Sequence, residues 1–186
     1  MVNESQINAE ELGKFLLEAK RATWASGKKA VKTDNGGEYF IFAKSPYFYK
    51  DKYYDNDPNP FIGQEIVSFN GKPIWGMNYY GWLTEEGKEY KDQEGLAKFL
   101  REALSNLTDI QNPFRGPEQY PKFENKTIDK KRLIYLNHPE GDLFNFQGKE
   151  WIIMGKTVHE MRLMKFGEYP KVDNVLFELD YRGGII

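Results

Sequence analysis

The stretch GQEIVSFNGKPIWGMNYYGW, residues 63–82, predicts a β-hairpin and decides the fold. Asn70-Gly71 at its centre is the preferred dipeptide of a two-residue type I′ turn, in which both residues need a positive φ. Such a turn fixes the register of the two strands that it joins. The predicted cross-strand pairs are Phe69 with Lys72, Val67 with Ile74, Ile66 with Trp75, and Glu65 with Gly76.

The same register predicts the two faces of the hairpin, because side chains alternate along a strand. One face would carry Val67, Phe69, Ile74, Asn78 and Tyr80, and the other Ile66, Trp75, Met77 and Tyr79. Neither face is clearly polar, so we expect both to be covered, by a second layer of the core, by a pocket or by another chain. Pro73 has no N–H to donate to a partner strand, which predicts a sheet edge or a β-bulge at this point.

Composition and charge exclude several classes of protein. The chain of 186 residues is long enough for one domain, and its aromatic content of 16% lets a few large rings build the core. The net charge of −2 gives no overall attraction to nucleic acid or to an anionic membrane. Cysteine is absent, which suits a reducing cytoplasm. With no signal peptide and no apolar run near ~20 residues, we expect a cytoplasmic protein that binds neither a membrane nor, directly, nucleic acid.

Hydrophobic patterning predicts a single α+β domain over residues 1–186, in which two amphipathic helices pack on one face of a twisted, mainly antiparallel sheet. The predicted elements are a helix at about 8–26, strands at about 38–82, a helix at about 93–107, and strands at about 131–186. Asn8 is the expected cap of the first helix, whose apolar stripe begins at Leu12. No tandem repeat is evident.

Motifs of the common enzymes and cofactor sites are absent. The sequence has no Walker loop, no GxGxxG segment and no GxSxG elbow. His138 and His159 are the only histidines, and neither has the spacing of a metal ligand pair. We therefore expect no metal, no cofactor and no assigned catalytic residue.

The hairpin and the loop FRGPE, residues 114–118, together predict a binding site. A glycine opposite Glu65 leaves room for a ligand atom. Arg115 is held between two prolines, and a fixed guanidinium suits an anionic ligand or an internal carboxylate such as Glu65. The candidate ligand-binding residues are Glu65, Trp75, Asn78, Tyr79, Arg115 and Glu118.

Six segments carry a family resemblance: FLLEAKRATWASG (15–27), GQEIVSFNGKPIWGMNYYG (63–81), FLREAL (99–104), FRGPEQY (114–120), GDLFNFQGKEWI (141–152), and FELDYRGGI near the C-terminus. In this order they resemble an uncharacterised bacterial family, a domain of unknown function found alone or behind the helix-turn-helix domain of XRE-type regulators. The resemblance implies a stand-alone version of the sensing or interaction domain of a regulator. Residues 155–174 depart from the family pattern and resemble an inserted hairpin.

Three hypotheses for the function follow. The leading one is a non-enzymatic cytoplasmic domain that binds a small molecule or a protein partner, with its pocket near Trp75, Asn78, Tyr79 and Arg115 and with Glu65 as the acid of that pocket. The alternative is a hydrolase or isomerase, in which Glu65 is the general base and Arg115 holds an anionic substrate. The third is an interaction module that pairs with another protein, or with a second copy as a homodimer, through the second sheet face or an edge at Pro73.

Overall fold

The computed structural model describes residues 7–55, 60–90, 92–121, 132–155 and 174–186. The helical elements are α1 (Ala9–Ala22), a 3₁₀ turn (Trp24–Ser26), α2 (Glu85–Glu89) and α3 (Gln93–Ser105). The strands are β1 (Val31–Lys32), β2 (Glu38–Lys44), β3 (Tyr47–Asp55), β4 (Phe61–Phe69), β5 (Lys72–Leu83), β6 (Gln119–Tyr120), β7 (Arg132–Asp142), β8 (Asn145–Gly155) and β9 (Val175–Ile185). His159 and nearly all of the segment predicted to be an inserted hairpin lie outside the described residues.

The nine strands form one antiparallel sheet in the order β1-β2-β3-β4-β5-β9-β8-β7-β6. The predicted α+β class with a mainly antiparallel sheet is therefore confirmed. Strand β9 lies between β5 and β8, so the C-terminal strand joins two meanders, β1–β5 and β6–β9. The centre of the sheet is thus formed by β5, from the middle of the sequence, and by β9, from its C-terminal part.

Helices α1 and α3 cover the same face of the sheet, which we call the inner face. The side chain of Asn8 accepts hydrogen bonds from the backbone N–H groups of Glu10 and Glu11, as expected of an N-cap. Asp92 caps α3 in the same way through the N–H of Gly95. The apolar stripes of both helices join one core with the inner-face residues, whose largest fully buried rings are Trp75, Tyr49, Tyr135, Phe114 and Phe146.

The hairpin turn is confirmed, but its predicted register is wrong beyond the first pair. Asn70 and Gly71 have φ values of 49° and 78°, and Phe69 pairs with Lys72. A bulge then shifts the register between Val67 and Ser68. The observed pairs are Ser68 with Pro73, Val67 with Trp75, Ile66 with Gly76, and Glu65 with Met77.

Pro73 is the physical reason for the shift. Pro73 cannot donate to the ladder, and Ile74 after it has no partner on β4, so β5 contains one residue more than β4 at this point. The predicted bulge is confirmed. An edge at Pro73 is also found locally, because the pairing of β5 with β9 begins only at Trp75, and Lys72 and Pro73 pair with β4 alone.

The bulge also corrects the assignment of faces. Trp75, Met77 and Tyr79 share the inner face with Glu65 and Val67. The opposite, outer face carries Asn78 and Tyr80 of β5 and Gln64 and Ile66 of β4. Large outer-face side chains stay exposed, namely Ile41, Phe48, Ile62 and Tyr80, at 54%, 40%, 54% and 45%. In this part of the sheet the core of the chain does not cover the outer face, and a covering by another chain stays a prediction.

The structure shows two related halves, which corrects the expectation that no repeat is present. LGKFLLEAK of α1, residues 12–20, is matched by LAKFLREAL of α3, residues 96–104. FIGQEIV of β4, residues 61–67, is matched by FQGKEWI of β8, residues 146–152. Such short matches, separated by unlike segments, are difficult to see in the sequence alone.

The hydrogen-bond register relates the halves residue by residue. Strands β3, β4 and β5 of the first half correspond to β7, β8 and β9 of the second. The corresponding pairs are Asp51–Glu65 and Asn137–Glu150, Gly63–Tyr79 and Gly148–Tyr181, Phe61–Gly81 and Phe146–Gly183, and Val67–Trp75 and Ile152–Phe177. The centre of the sheet is therefore a pseudo-symmetric junction, where Tyr79 pairs with Tyr181.

The turn generates the first testable prediction. Gly71→Val should lower the free energy of unfolding by about 1–2 kcal/mol, because a β-branched residue resists positive φ. A Cβ at Gly71 meets no atom within 4 Å, so strain in the backbone is the only cost. Urea denaturation checks this value, with Gly71→Asn as the control because asparagine tolerates this conformation. Equal loss in both variants would contradict the turn assignment.

Candidate functional site

Two tyrosines on the central strands lie across the neighbouring strand, each over a glycine of that strand. A Cβ at Gly63 would collide with the ring of Tyr79, so the glycine lets this ring lie across β4. The Tyr79 hydroxyl then donates a hydrogen bond to Oδ1 of Asp51 on β3, at 2.7 Å. In the second half the ring of Tyr181 lies over Gly148 in the same way. Its hydroxyl donates to Oδ1 of Asn137 on β7, at 2.8 Å.

Among the described residues, five charged side chains are buried on the inner face: Lys20, Asp51, Glu65, Arg115 and Glu150, none of them more than 5% exposed. The ammonium of Lys20 on α1 donates to Oε2 of Glu65 and to the carbonyl oxygen of Phe114. The Nε of Arg115 donates to Oε1 of Glu150, at 3.2 Å. Arg115 Nη1 lies 3.9 Å from Oε1 of Glu65, so the guanidinium faces both glutamates.

These contacts form two compensated pairs and leave one acid over. The Lys20–Glu65 pair and the Arg115–Glu150 pair each carry no net charge. Among the described residues, Asp51 forms no ion pair, and its only hydrogen-bond donor is Tyr79. Burial and the nearby charge of Glu65 raise the pKa of Asp51 from 3.8 to about 7 against the opposing effect of that hydrogen bond.

The cations respond to the same environment in opposite directions. Burial lowers the pKa of Lys20 below its usual value, although Glu65 opposes this change. Burial also disfavours the charge of Arg115, but Glu150 and Glu65 outweigh it and raise the pKa of the guanidinium. Arg115 also lies over the rings of Trp24 and Tyr79, at 5.4 and 5.1 Å from the ring centres.

A cavity of about 910 Å³ opens on the inner face beside this cluster. The segment that follows α1, the strands β2 and β3, and helix α3 surround it. Its walls are mostly aromatic and aliphatic, with Trp24, Phe40, Tyr53, Phe61, Leu100 and Phe177 among them. Asp51, Tyr79 and Arg115 are the buried polar residues that line it. Charged residues of both signs lie at its edge, including Lys28, Lys32, Glu38 and Glu94.

The structure brings together only part of the residue set predicted from the sequence. Tyr79 and Arg115 line the cavity. Glu65 is the cross-strand neighbour of Asp51, but it is fully buried in its ion pair and does not line the cavity. Arg115 meets internal carboxylates, which was one of the two roles expected for it.

The other three candidates lie elsewhere. Trp75 is fully buried in the core and stacks on Phe146 at 5.5 Å. Asn78 is exposed on the outer face, where its side chain accepts a hydrogen bond from Gln64. Glu118 is exposed and does not line the inner cavity.

Sequence reasoning did not find Asp51, Lys20 and Glu150. Each carries a signal in the periodicity of its element. Asp51 alternates with aromatic residues in the run YFYKDKYY, residues 47–54, and so belongs to an otherwise apolar face. Lys20 follows Leu16 by four residues on the apolar stripe of α1. A single charged residue on an apolar face indicates a buried partner, although the pattern does not identify that partner.

The outer face has a second cavity, of about 500 Å³, whose lining includes Asn78, Tyr80, His138, Trp151 and Arg182. Most of these side chains are at least partly exposed, and none of the described residues that line this cavity is a buried carboxylate. Within the described ranges, no three acidic or histidine side chains are placed to hold a metal ion. The inner cavity is therefore the better candidate for a specific site.

Comparison with known proteins identifies a family. The model of a domain of unknown function, DUF5680, matches residues 51–167, which is more than half of the chain. This chain belongs to the DUF5680 family. The matched region of this DUF5680 member contains Asp51, Tyr79, Arg115 and Glu150, whereas Lys20 and Tyr181 lie outside it. The search of curated proteins and the search of solved structures gave no match. None of the helices in the described residues is both long and apolar enough for a membrane span.

A second prediction tests the buried pair. Lys20→Met should lower the free energy of unfolding by about 3 kcal/mol, because it leaves the buried Glu65 without its ammonium partner. The double variant Lys20→Met/Glu65→Gln should recover most of this loss. Lys14→Met is the matched control, since Lys14 is an exposed residue of the same helix. A loss below about 1 kcal/mol for Lys20→Met would contradict a structural role of the pair.

A third prediction follows from the raised pKa of Asp51. The folded state holds this proton more tightly than the unfolded state, so the resulting stability is present below pH 4 and is lost as the pH rises through about 7. Between pH 5 and pH 8 the wild type should lose about 2–3 kcal/mol of unfolding free energy relative to Asp51→Asn. Urea denaturation at several pH values checks this difference. A difference that does not change with pH would show that Asp51 titrates normally.

Proposed function

We propose that this chain is a non-enzymatic ligand-binding domain, which holds a small organic molecule in the inner cavity. The observation that carries the proposal is a cavity of about 910 Å³ with apolar walls and a buried acid, Asp51, that forms no ion pair with any described residue. Small-molecule sites are commonly ~300–1,000 Å³ in volume and combine apolar walls with a few polar groups. Asp51, Tyr79 and Arg115 are the polar groups of this site.

We further propose that the domain acts in the bacterial cytoplasm as the sensing part of a regulator. The support is the resemblance of its segments to domains that accompany XRE-type helix-turn-helix proteins, together with the absence of cysteine. In such an arrangement, ligand occupancy is passed on through a protein partner or through a second copy of the chain. The exposed side chains of Ile41, Phe48, Ile62 and Tyr80 on the outer face support a partner there.

A second candidate function is a hydrolase or isomerase. The observation in its favour is the pKa of about 7 of Asp51, which suits a general base near neutral pH. Glu65, the base expected from the sequence, is enclosed in its pair with Lys20, so Asp51 takes this role in the candidate. An enzyme would be favoured over a binding domain if the wild type chemically converted the bound compound and Asp51→Asn bound it without converting it.

The experiment that tests ligand binding is native mass spectrometry of the protein purified gently from its own cells. We expect a reproducible small added mass on the wild type. Ala97→Trp should abolish this added mass, because Ala97 lines the cavity from α3 and an indole would occupy that space. Lys98→Trp is the matched control, since Lys98 is exposed on the same helix and does not line the cavity.

Two results would contradict the proposal. An added mass that persists on Ala97→Trp would mean that the molecule binds elsewhere. A bare mass for the wild type and for both variants would mean that the domain purifies without a ligand, which would instead favour the enzyme or the interaction module.

A further inference from the structure

The two related halves differ at the position of Asp51, and this difference specifies the chemistry of the missing partner. In the second half the counterpart of Asp51 is Asn137, on the same register position opposite a glutamate. Asn137 uses both ends of its amide. Its Oδ1 accepts from Tyr181, and its Nδ2 donates to the carbonyl oxygen of Gly116, at 2.8 Å.

The chain therefore supplies the second half with its own polar partner. The loop that contains Gly116 fits closely against β7, because a Cβ at Gly116 would collide with the Tyr135 hydroxyl. In the first half, Oδ1 of Asp51 accepts from Tyr79 in the same way, but no described residue donates to its other oxygen. Asp51 lines the cavity, whereas Asn137 does not.

The change from the amide of Asn137 to the carboxylate of Asp51 changes the partner that is needed from a hydrogen-bond acceptor to a donor. An amide nitrogen donates and takes a carbonyl oxygen, whereas a carboxylate oxygen only accepts and takes an N–H or O–H donor. The missing partner of Asp51 is therefore a donor.

The charges of the cluster point to a positively charged donor. Lys20 compensates Glu65 and Arg115 compensates Glu150, so an ionised Asp51 leaves the buried cluster with one negative charge. A cation beside Asp51 would neutralise it, whereas an anion would meet a carboxylate and an arginine that already faces two glutamates. Aromatic rings such as Phe40, Tyr53 and Phe61 line the same cavity and favour a cation further.

We propose that the cavity binds a small organic cation, an amine on an apolar body, with its ammonium group on Asp51 and its body between Phe40, Phe61 and Leu100. This inference rests on the proposed ligand-binding function and specifies the class of its ligand. Asp51 replaces Glu65 as the acid of the site. Tyr79 orients the Asp51 carboxylate by its hydrogen bond.

Isothermal titration calorimetry with three probes of one shape tests the charge of the ligand. The probes are phenethylamine, which is a cation, 2-phenylethanol, which is neutral, and phenylacetate, which is an anion. We expect phenethylamine to bind the wild type at least tenfold more tightly than 2-phenylethanol, and phenylacetate to bind most weakly. Asp51→Asn should weaken phenethylamine at least tenfold and leave 2-phenylethanol within about twofold, because it removes the charge and keeps the shape.

Three results would overturn the inference: equal or tighter binding of the alcohol or the anion, no binding of the amine at millimolar concentration, or an unchanged amine affinity in Asp51→Asn. The comparison of probes on the wild type does not depend on the folding of any variant. A neutral or anionic compound that purifies with the wild type and is lost from Ala97→Trp would overturn the amine and leave the binding function intact. If no added mass were found on the protein and none of the three probes bound, both the ligand-binding function and the amine ligand would be contradicted.

Discussion

The buried ion pair between Lys20 and Glu65 is the interaction on which the rest of this structure depends. Glu65 is fully enclosed in an aromatic core, where an unpaired carboxylate would cost several kcal/mol. The ammonium of Lys20 compensates it and also binds the carbonyl oxygen of Phe114. One side chain thus ties α1 to the centre of the sheet and to the loop that precedes β6. Apolar residues of similar volume often stabilise a fold as well as a buried ion pair does. We therefore infer that the main effect of this contact is to fix the position of α1, and that its contribution to the net free energy of unfolding is the smaller one.

The asymmetry of the two halves begins at the same place. Glu65 and Glu150 occupy equivalent register positions, yet the residue of α3 that corresponds to Lys20 is Leu104. Glu150 therefore receives its cation from the loop, through Arg115. This brings the neighbouring Gly116 close to Asn137, so the loop occupies the space beside Asn137 that corresponds to the cavity beside Asp51. Among the described residues, no such loop covers Asp51 in the first half, and a large cavity lies on that side of the near-symmetric sheet.

The sequence predicted what depends on local structure. The Asn70-Gly71 turn, the Asn8 cap and the amphipathic helices follow from residue types within a few positions of one another. Pro73 predicted a bulge, but not the strand pair at which the register would shift, and a shift of one residue exchanges the faces of the hairpin. The acid of the site was assigned to Glu65 because Glu65 was expected to pair with Gly76, whereas it pairs with Met77, and Asp51 lies one strand away on β3. The partners of Lys20 and Arg115 are distant in the chain, and they are determined by the order of strands, which no local pattern contains.

The structure also shows that the folding unit extends beyond the family match. Residues 51–167 begin inside β3 and end before β9. Without β9 the sheet would separate into two meanders, because this strand supplies the hydrogen bonds to both β5 and β8. Without α1 the matched region would retain Glu65 but lose Lys20, and a buried carboxylate would remain uncompensated beside Asp51. The matched region contains the buried polar groups that line the cavity, whereas Lys20, which pairs with Glu65, and the whole of β9, which links the two meanders, lie outside it.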